Sequence, residues 1–156
     1  MVAGQNSLKV NKYFLLIIFT ILFTSKSYSN NYSLSKIVEL DEPWGSSFIN
    51  KDEIIVTEKS GKIKIVNINS KKISEVKHNL NFLDIGQGGL LDIIHQNNNL
   101  WISYTENRGN WKTSTSIAKA KLDKKKLNFE NIFQANPPID SGYHFGSRLA
   151  IKDNYL

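Results

Sequence analysis

The sequence contains no cysteine, so disulfides cannot stabilise this fold and no cysteine is available as a nucleophile or a lipid-anchor site. It also lacks any segment with the sustained helical period of apolar residues that an amphipathic helix needs. Stability must therefore come from apolar surface buried between strands. A chain of 156 residues is long enough to form one core and is expected to hold one domain at most.

A basic stripe interleaved with aromatic residues is absent as well. The formal net charge is +6, but Lys9, Lys12 and Lys26 lie in the N-terminal segment, and the later lysines are scattered among acids. A nucleic-acid surface would concentrate its cations on one face. We therefore expect the positive charge to solvate the surface and predict no nucleic-acid partner.

The one long apolar run lies near the N-terminus. Residues 13–23 are apolar apart from one threonine, basic residues precede them, and the small residues Ser27 and Ser29 follow. This order is typical of a cleaved secretory signal. An uncleaved anchor is the alternative, but the run is shorter than the roughly 20 residues that span a bilayer. We predict a signal peptide at 1–29 and a mature part at 30–156, periplasmic or secreted, without membrane contact after cleavage.

The rest of the chain has the pattern of short strands separated by turns. Strands are predicted at 54–57, 63–68, 90–94, 100–104 and 115–122, with Ser60-Gly61 and Asn97-Asn98-Asn99 as turns. In the last of these strands, Ile117 and the alanines are expected to face away from Lys119 and Lys121. The fold class predicted is all-β.

The strands also repeat. Residues 48–55 can be aligned with 149–156, and residues 93–101 form a third, slightly longer copy. The copies begin roughly 45 and 55 residues apart, as expected of four-stranded propeller blades. A β-sandwich is the alternative. A propeller needs about four to eight blades to close, so we expect two blades and the start of a third, from the N-terminal part of a longer protein.

Two loops contain residues suited to chemistry. The sequence Gly86-Gln87-Gly88-Gly89 precedes a strand, where glycines allow close approach to a ligand or to another blade. No helix start follows it, so it is not a dinucleotide fingerprint. Gln87 can both donate and accept hydrogen bonds to a polar ligand.

The second loop, residues 141–149, enters the third repeat copy and is therefore expected near the propeller axis. His144 is a candidate general base because imidazole exchanges protons near neutral pH; an exposed or structural histidine is the alternative. Arg148 suits an anionic ligand or, equally, a nearby carboxylate. Trp44, which opens the first blade, is expected to pack between blades, with ligand stacking as the alternative.

Five motifs together resemble the soluble aldose sugar dehydrogenases of the glucose/sorbosone dehydrogenase family. In chain order they are Pro-Trp-Gly at 43–45, Val-Thr-Glu-Lys-Ser-Gly-Lys-Ile at 56–63, Gly-Gln-Gly-Gly-Leu-Leu-Asp at 86–92, Ser-Tyr-Thr-Glu at 103–106 and His-Phe-Gly-Ser-Arg-Leu at 144–149. The resemblance implies a six-bladed β-propeller that uses pyrroloquinoline quinone (PQQ) and calcium.

By this resemblance, His144 is the base that takes the proton of the anomeric hydroxyl while hydride passes to the quinone, giving a lactone. Gln87 becomes a substrate contact and Arg148 a candidate cofactor contact. The family's calcium ligands and most of its quinone-binding cations lie in later blades. We therefore expect no metal ligand here, and no activity from this stretch alone.

The substrate expected by resemblance is an aldose, and the electrons are expected to pass to an external acceptor. The rival hypothesis is a non-catalytic extracellular propeller that binds a glycan or a protein partner. Neither the residues nor the resemblance indicates the sugar, the acceptor or the oligomeric state.

Overall fold

The computed structural model describes residues 32–153 and 155–156. The predicted signal peptide and its cleavage site lie outside the described residues. Within the described part of the chain, no helix is long and apolar enough to cross a membrane.

The described residues form nine β-strands and confirm the all-β prediction. The strands are β1 (Pro43–Phe48), β2 (Glu53–Glu58), β3 (Ile63–Asn67), β4 (Ile73–His78), β5 (Leu90–Gln96), β6 (Asn99–Asn107), β7 (Thr113–Lys121), β8 (Lys126–Leu127) and β9 (Glu130–Gln134). They build two sheets, ordered β1-β2-β3-β4-β8 and β5-β6-β7-β9.

The strands predicted from alternation and from the turns are confirmed. The β2–β3 turn contains Gly61 at φ +100°, and the β5–β6 turn contains Asn97 and Asn98 at φ +49° and +61°. Glycine and asparagine tolerate this left-handed region, which tight hairpins require. β1, β4 and β9 were not predicted because most of their residues are exposed, which leaves no alternation to detect, and the two-residue strand β8 is too short to show one.

One face assignment in β7 is wrong. Ala118 and Ala120 are buried and Lys119 is exposed, as expected, but Ile117 is only half-buried. Successive side chains of a strand point to opposite faces, so Ile117 shares the face of Lys119, two positions later. Ala118 and Ala120 therefore face the interior without Ile117, together with the buried Ser114 and Ser116.

The core lies between facing sides of the two sheets. Isoleucines from both sheets fill it, each 0–1% exposed: Ile55 and Ile63 from the first sheet, and Ile93 and Ile102 from the second. Burying one such side chain stabilises the fold by about 1.5–3 kcal/mol. These β-branched residues suit the pleated sheet, so local propensity and core packing favour the same structure.

Each sheet has the form of a propeller blade, with four antiparallel strands in meander order. β1 and β5, the first strands of the two blades, pack against each other. After the second blade, an isolated antiparallel bridge joins Lys152 and Tyr155, with Asp153 at φ +48°. The prediction of two blades and the start of a third is confirmed.

The first sheet contains a fifth strand, β8, which lies in the chain between β7 and β9 of the second sheet. β8 pairs parallel with β4. Asn79 continues this contact: its Nδ2 donates to the Phe129 carbonyl at 3.1 Å, and its Oδ1 accepts from the Phe129 N–H at 2.7 Å. The asparagine side chain thereby pairs with backbone as a strand residue would.

Candidate functional site

The glycine loop, residues 86–89, is held close to both blades by backbone hydrogen bonds. The Leu90 N–H donates to the Lys59 carbonyl at 3.2 Å, and the Gly89 carbonyl accepts from the Thr105 N–H at 2.9 Å. Gly86 lies at φ +56°, and a Cβ there would overlap the Gly142 carbonyl. Glycine is required because the loop touches another backbone.

That other backbone belongs to the histidine segment, residues 141–149. The Gln87 N–H donates to the Gly142 carbonyl at 2.8 Å. The Gln87 side-chain Oε1 accepts from the backbone N–H of His144 at 3.2 Å. The structure therefore brings together the two loops that the sequence singled out, although they are 57 residues apart along the chain.

His144 is exposed and has φ +64°. This left-handed conformation is uncommon for a residue with a side chain. The Tyr143 and His144 ring centroids lie 6.5 Å apart with the planes tilted by 51°. The imidazole is accessible from solvent, as a proton acceptor for a diffusing substrate must be.

Side chains of the second blade hold the histidine segment beyond His144. The Thr115 hydroxyl donates to the Phe145 carbonyl and the Ser103 hydroxyl to the Ser147 carbonyl, each at 2.5 Å. Phe145 is 5% exposed, which anchors the segment by apolar packing as well. His144 therefore precedes a residue whose backbone carbonyl is hydrogen-bonded and whose ring is buried.

Asp92 of β5 holds the end of the segment. Its Oδ1 accepts from Arg148 Nη1 at 3.0 Å, and its Oδ2 accepts from the Leu149 N–H at 2.8 Å. Asp92 is 3% exposed, and a buried carboxylate of this kind needs such donors. Of the two possible partners for Arg148 foreseen from sequence, the structure shows the carboxylate.

Trp44 does not pack between the two blades that the structure describes, and 45% of it is exposed. Gly45 is the residue that lies against the second blade, where a Cβ would come within 2.7 Å of the Asp92 Cα.

Sequence reasoning missed Ser103, Thr115 and Asp92 as supports of the segment. Asp92 was detectable in principle, as one acid within the apolar run Leu90 to Ile94. The two hydroxyl residues gave no signal because serine and threonine are common on half-buried strands. Their function depends on the fold bringing residues 145 and 147 to them.

The two loops present two exposed polar side chains to solvent. They are the imidazole of His144 and the carboxamide of Gln87. Arg148, the cation nearest to them along the chain, is already bonded to Asp92. In the described part of the chain no group of three or more His, Cys, Asp or Glu residues could hold a metal ion, so no step through calcium is derived from these residues.

Comparison with known families assigns the chain to one of them. The sequence model of the family described as Glucose / Sorbosone dehydrogenase matches residues 40–156. The chain belongs to the glucose/sorbosone dehydrogenase family. The match covers every strand and both loops of the site, and it confirms the resemblance drawn from the five motifs.

Named members of this family and solved structures are similar to the chain. Aldose sugar dehydrogenase YliI of Escherichia coli (strain K12) is 27% identical over 120 residues, which are 71% of this chain and 32% of that protein. The crystal structure of a glucose dehydrogenase has 25% identity and a TM-score of 0.71, and the match covers 76% of this chain and 38% of that one.

A more distant structure shares the fold. It is the PQQ-bound aldose sugar dehydrogenase of Streptomyces coelicolor, 18% identical with a TM-score of 0.58, and the match covers 67% of this chain and 34% of that one. The chain spans about a third of the length of the curated relatives it matches, 32% and 30%.

Proposed function

We propose that the full-length protein containing this chain is a PQQ-dependent aldose dehydrogenase, folded as a six-bladed propeller, that oxidises the anomeric carbon of a sugar to a lactone. One observation supports this most directly. His144 is exposed, has a left-handed backbone conformation and is hydrogen-bonded to Gln87, which has a carboxamide suited to sugar hydroxyls. The two residues come from separate loops of a chain that matches the family.

In this proposal an imidazole nitrogen of His144 accepts the proton of the anomeric hydroxyl. The C–H bond of the same carbon breaks as a hydride leaves, the carbonyl of the lactone forms, and His144 holds the proton as an imidazolium. Bound PQQ supplies the two-electron acceptor for the hydride. The Gln87 amide N–H group donates a hydrogen bond to a sugar oxygen and orients it.

Export and cofactor fit one scheme. An enzyme outside the cytoplasm cannot draw on the nicotinamide pool, whereas a bound quinone can be re-oxidised by an external acceptor. The protein is therefore proposed to be periplasmic or secreted. Calcium and most PQQ-binding cations are assigned to later blades, so the present chain is expected to bind neither PQQ nor calcium by itself.

The test is dye reduction by the full-length protein with a panel of aldoses, with and without PQQ and calcium. We expect a rate that needs PQQ, falls by about 100-fold or more in His144→Ala, and is partly restored by added imidazole. A melting curve of H144A controls for folding.

Two results would overturn the proposal. One is the absence of any PQQ-dependent rate, which together with glycan or protein binding would favour the non-catalytic propeller. The other is full activity of H144A. Calorimetric titration of the purified 156-residue chain with PQQ and calcium tests the remaining point, and micromolar binding would contradict it.

A further inference from the structure

We infer that Gln87 is a positioning residue for His144, in addition to any contact it makes with substrate. This inference rests on the proposed function, because it assigns a role relative to the proposed base. Its structural part, the effect of Gln87 on the His144 backbone, is measurable without activity.

The first argument is the conformation that must be maintained. His144 has φ +64°, and a residue with a side chain pays roughly 1–2 kcal/mol for the left-handed region. Such strain persists where the surroundings compensate for it. The compensating contact at His144 itself is the Gln87 Oε1, which accepts the His144 N–H at 3.2 Å.

The second argument is that Gln87 contacts the histidine segment twice. Its backbone N–H reaches the Gly142 carbonyl at 2.8 Å, and its side chain reaches the N–H two residues later. One residue therefore fixes the backbone on the N-terminal side of the base and at the base itself.

The third argument is that the segment is held tightly on the other side. Thr115, Ser103 and Asp92 bond to the backbone of residues 145, 147 and 149 in turn. With residues 145–149 fixed, the backbone conformation of His144 depends on the contacts made by its own N–H and by the residues that precede it. Gln87 supplies that contact.

A consequence separates this function from substrate binding. Because the acceptor toward a backbone N–H must be the carboxamide oxygen, the orientation of the Gln87 amide is set. The oxygen positions His144, and the NH₂ group is left to donate to a ligand. Gln87→Glu keeps the acceptor and removes the donor, whereas Gln87→Ala removes both.

The experiment compares Q87E and Q87A in the full-length protein, with Gln96→Ala as a matched control because Gln96 is an exposed glutamine at the β5–β6 hairpin. Amide hydrogen exchange at His144 is measured first. We expect faster exchange in Q87A and wild-type exchange in Q87E and Q96A.

Kinetics follow with PQQ loaded, on the plateau of each variant's pH profile. Misplacing a catalytic group by about 1 Å costs on the order of 100-fold, so Q87A should lower kcat by about 10–100-fold. Q87E should recover most of kcat and show its defect in KM, since it lacks only the donor to substrate.

Unchanged exchange at His144 in Q87A would overturn the inference, and so would a kcat in Q87E as low as in Q87A. Failure of the proposed function has a different signature: H144A stays active, while the exchange data still report whether Gln87 holds the backbone. The two failures are therefore distinguishable.

Discussion

The carboxylate of Asp92 binds Arg148 and its neighbour at once, accepting from the guanidinium at 3.0 Å through one oxygen and from the Leu149 N–H at 2.8 Å through the other. The two side chains differ in environment, because the side chain of Asp92 alone is 5% exposed and that of Arg148 is 76% exposed. The backbone contact is therefore expected to matter more for stability than the ion pair.

Asp92→Asn and Asp92→Ala separate these contributions. D92N retains an oxygen for the Leu149 N–H and loses the charge, so it should cost at most about 1 kcal/mol. D92A leaves the N–H without its acceptor and should lower the free energy of unfolding by about 1–3 kcal/mol. Urea unfolding measures both, and equal costs would contradict this ranking.

Gly86 is predicted to be replaceable only at high cost. Gly86→Ala adds a methyl group that overlaps the Gly142 carbonyl, at φ +56°. The matched control is Gly109→Ala, at φ +78° with no atom within 4 Å of the added Cβ. G109A should cost about 1–2 kcal/mol for the backbone conformation alone, and G86A about 1–3 kcal/mol more for the overlap.

Thermal and urea unfolding of the two variants check this prediction. G86A should also speed amide exchange at His144, because the overlap pushes the histidine segment away from the glycine loop. Equal stabilities for G86A and G109A would show that the two loops separate without cost.

Glu58 is expected to make stability depend on pH in acid. Burial raises the pKa of its carboxyl, but hydrogen bonds from the Lys64 ammonium and the Asp41 N–H outweigh burial. With the charge of Lys62 added, the pKa of Glu58 lies below its ordinary value of 4.5. The stabilisation is therefore present above pH 4.5 and is lost as the pH falls through the lowered folded-state value.

Glu58→Gln tests this sign. The wild type should exceed E58Q in free energy of unfolding by about 1–3 kcal/mol near neutral pH, and the difference should shrink below pH 4.5. Glu75→Gln, at an exposed position of β4, serves as the control and should change stability by less than about 0.5 kcal/mol. A difference between wild type and E58Q that grows in acid would refute the assignment.

Tyr104 makes the opposite prediction for alkaline pH. Burial, and to a lesser extent the charge of Glu106, raises the pKa of Tyr104 to about 12, against the lowering effect of its hydrogen bond with Asn131. Below pH 10 the phenol is neutral in both states; above it, the unfolded chain gains by ionising. Stability should therefore fall above pH 10 more steeply in the wild type than in Tyr104→Phe. Denaturant unfolding across that range, with tyrosinate absorbance as the probe, measures the effect, and identical slopes would contradict it.

The sequence predicted the mostly buried strands well and the mostly exposed strands poorly, for a physical reason. Ile55, Ile65 and Leu100 are buried on strands whose turns contain glycine or asparagine. The alternation of apolar residues and the turn residues therefore predict the same strand boundaries. β9 has no buried residue. Its position depends on distant polar contacts, such as Gln134 Nε2 to Glu106 Oε2 at 2.7 Å, which no local pattern contains.

The site was predictable to a similar degree. Gln87 and His144 stood out because a polar residue among glycines and a histidine beside Phe145 and Gly146 are unusual combinations. Their mutual contact and the support from Thr115 were not predictable, because a hydrogen bond between residues 30 or 57 apart depends on sheet register.

The pairing of Asn79 with Phe129 has a consequence for the order of folding. The outer edge of the first blade is completed by backbone that is synthesised 50 residues later. A nascent chain that has emerged only through β4 therefore exposes an unpaired strand edge, the kind of edge that invites wrong pairing. The first blade is therefore completed only after most of the second blade has been synthesised, and the two blades are expected to acquire their stability together.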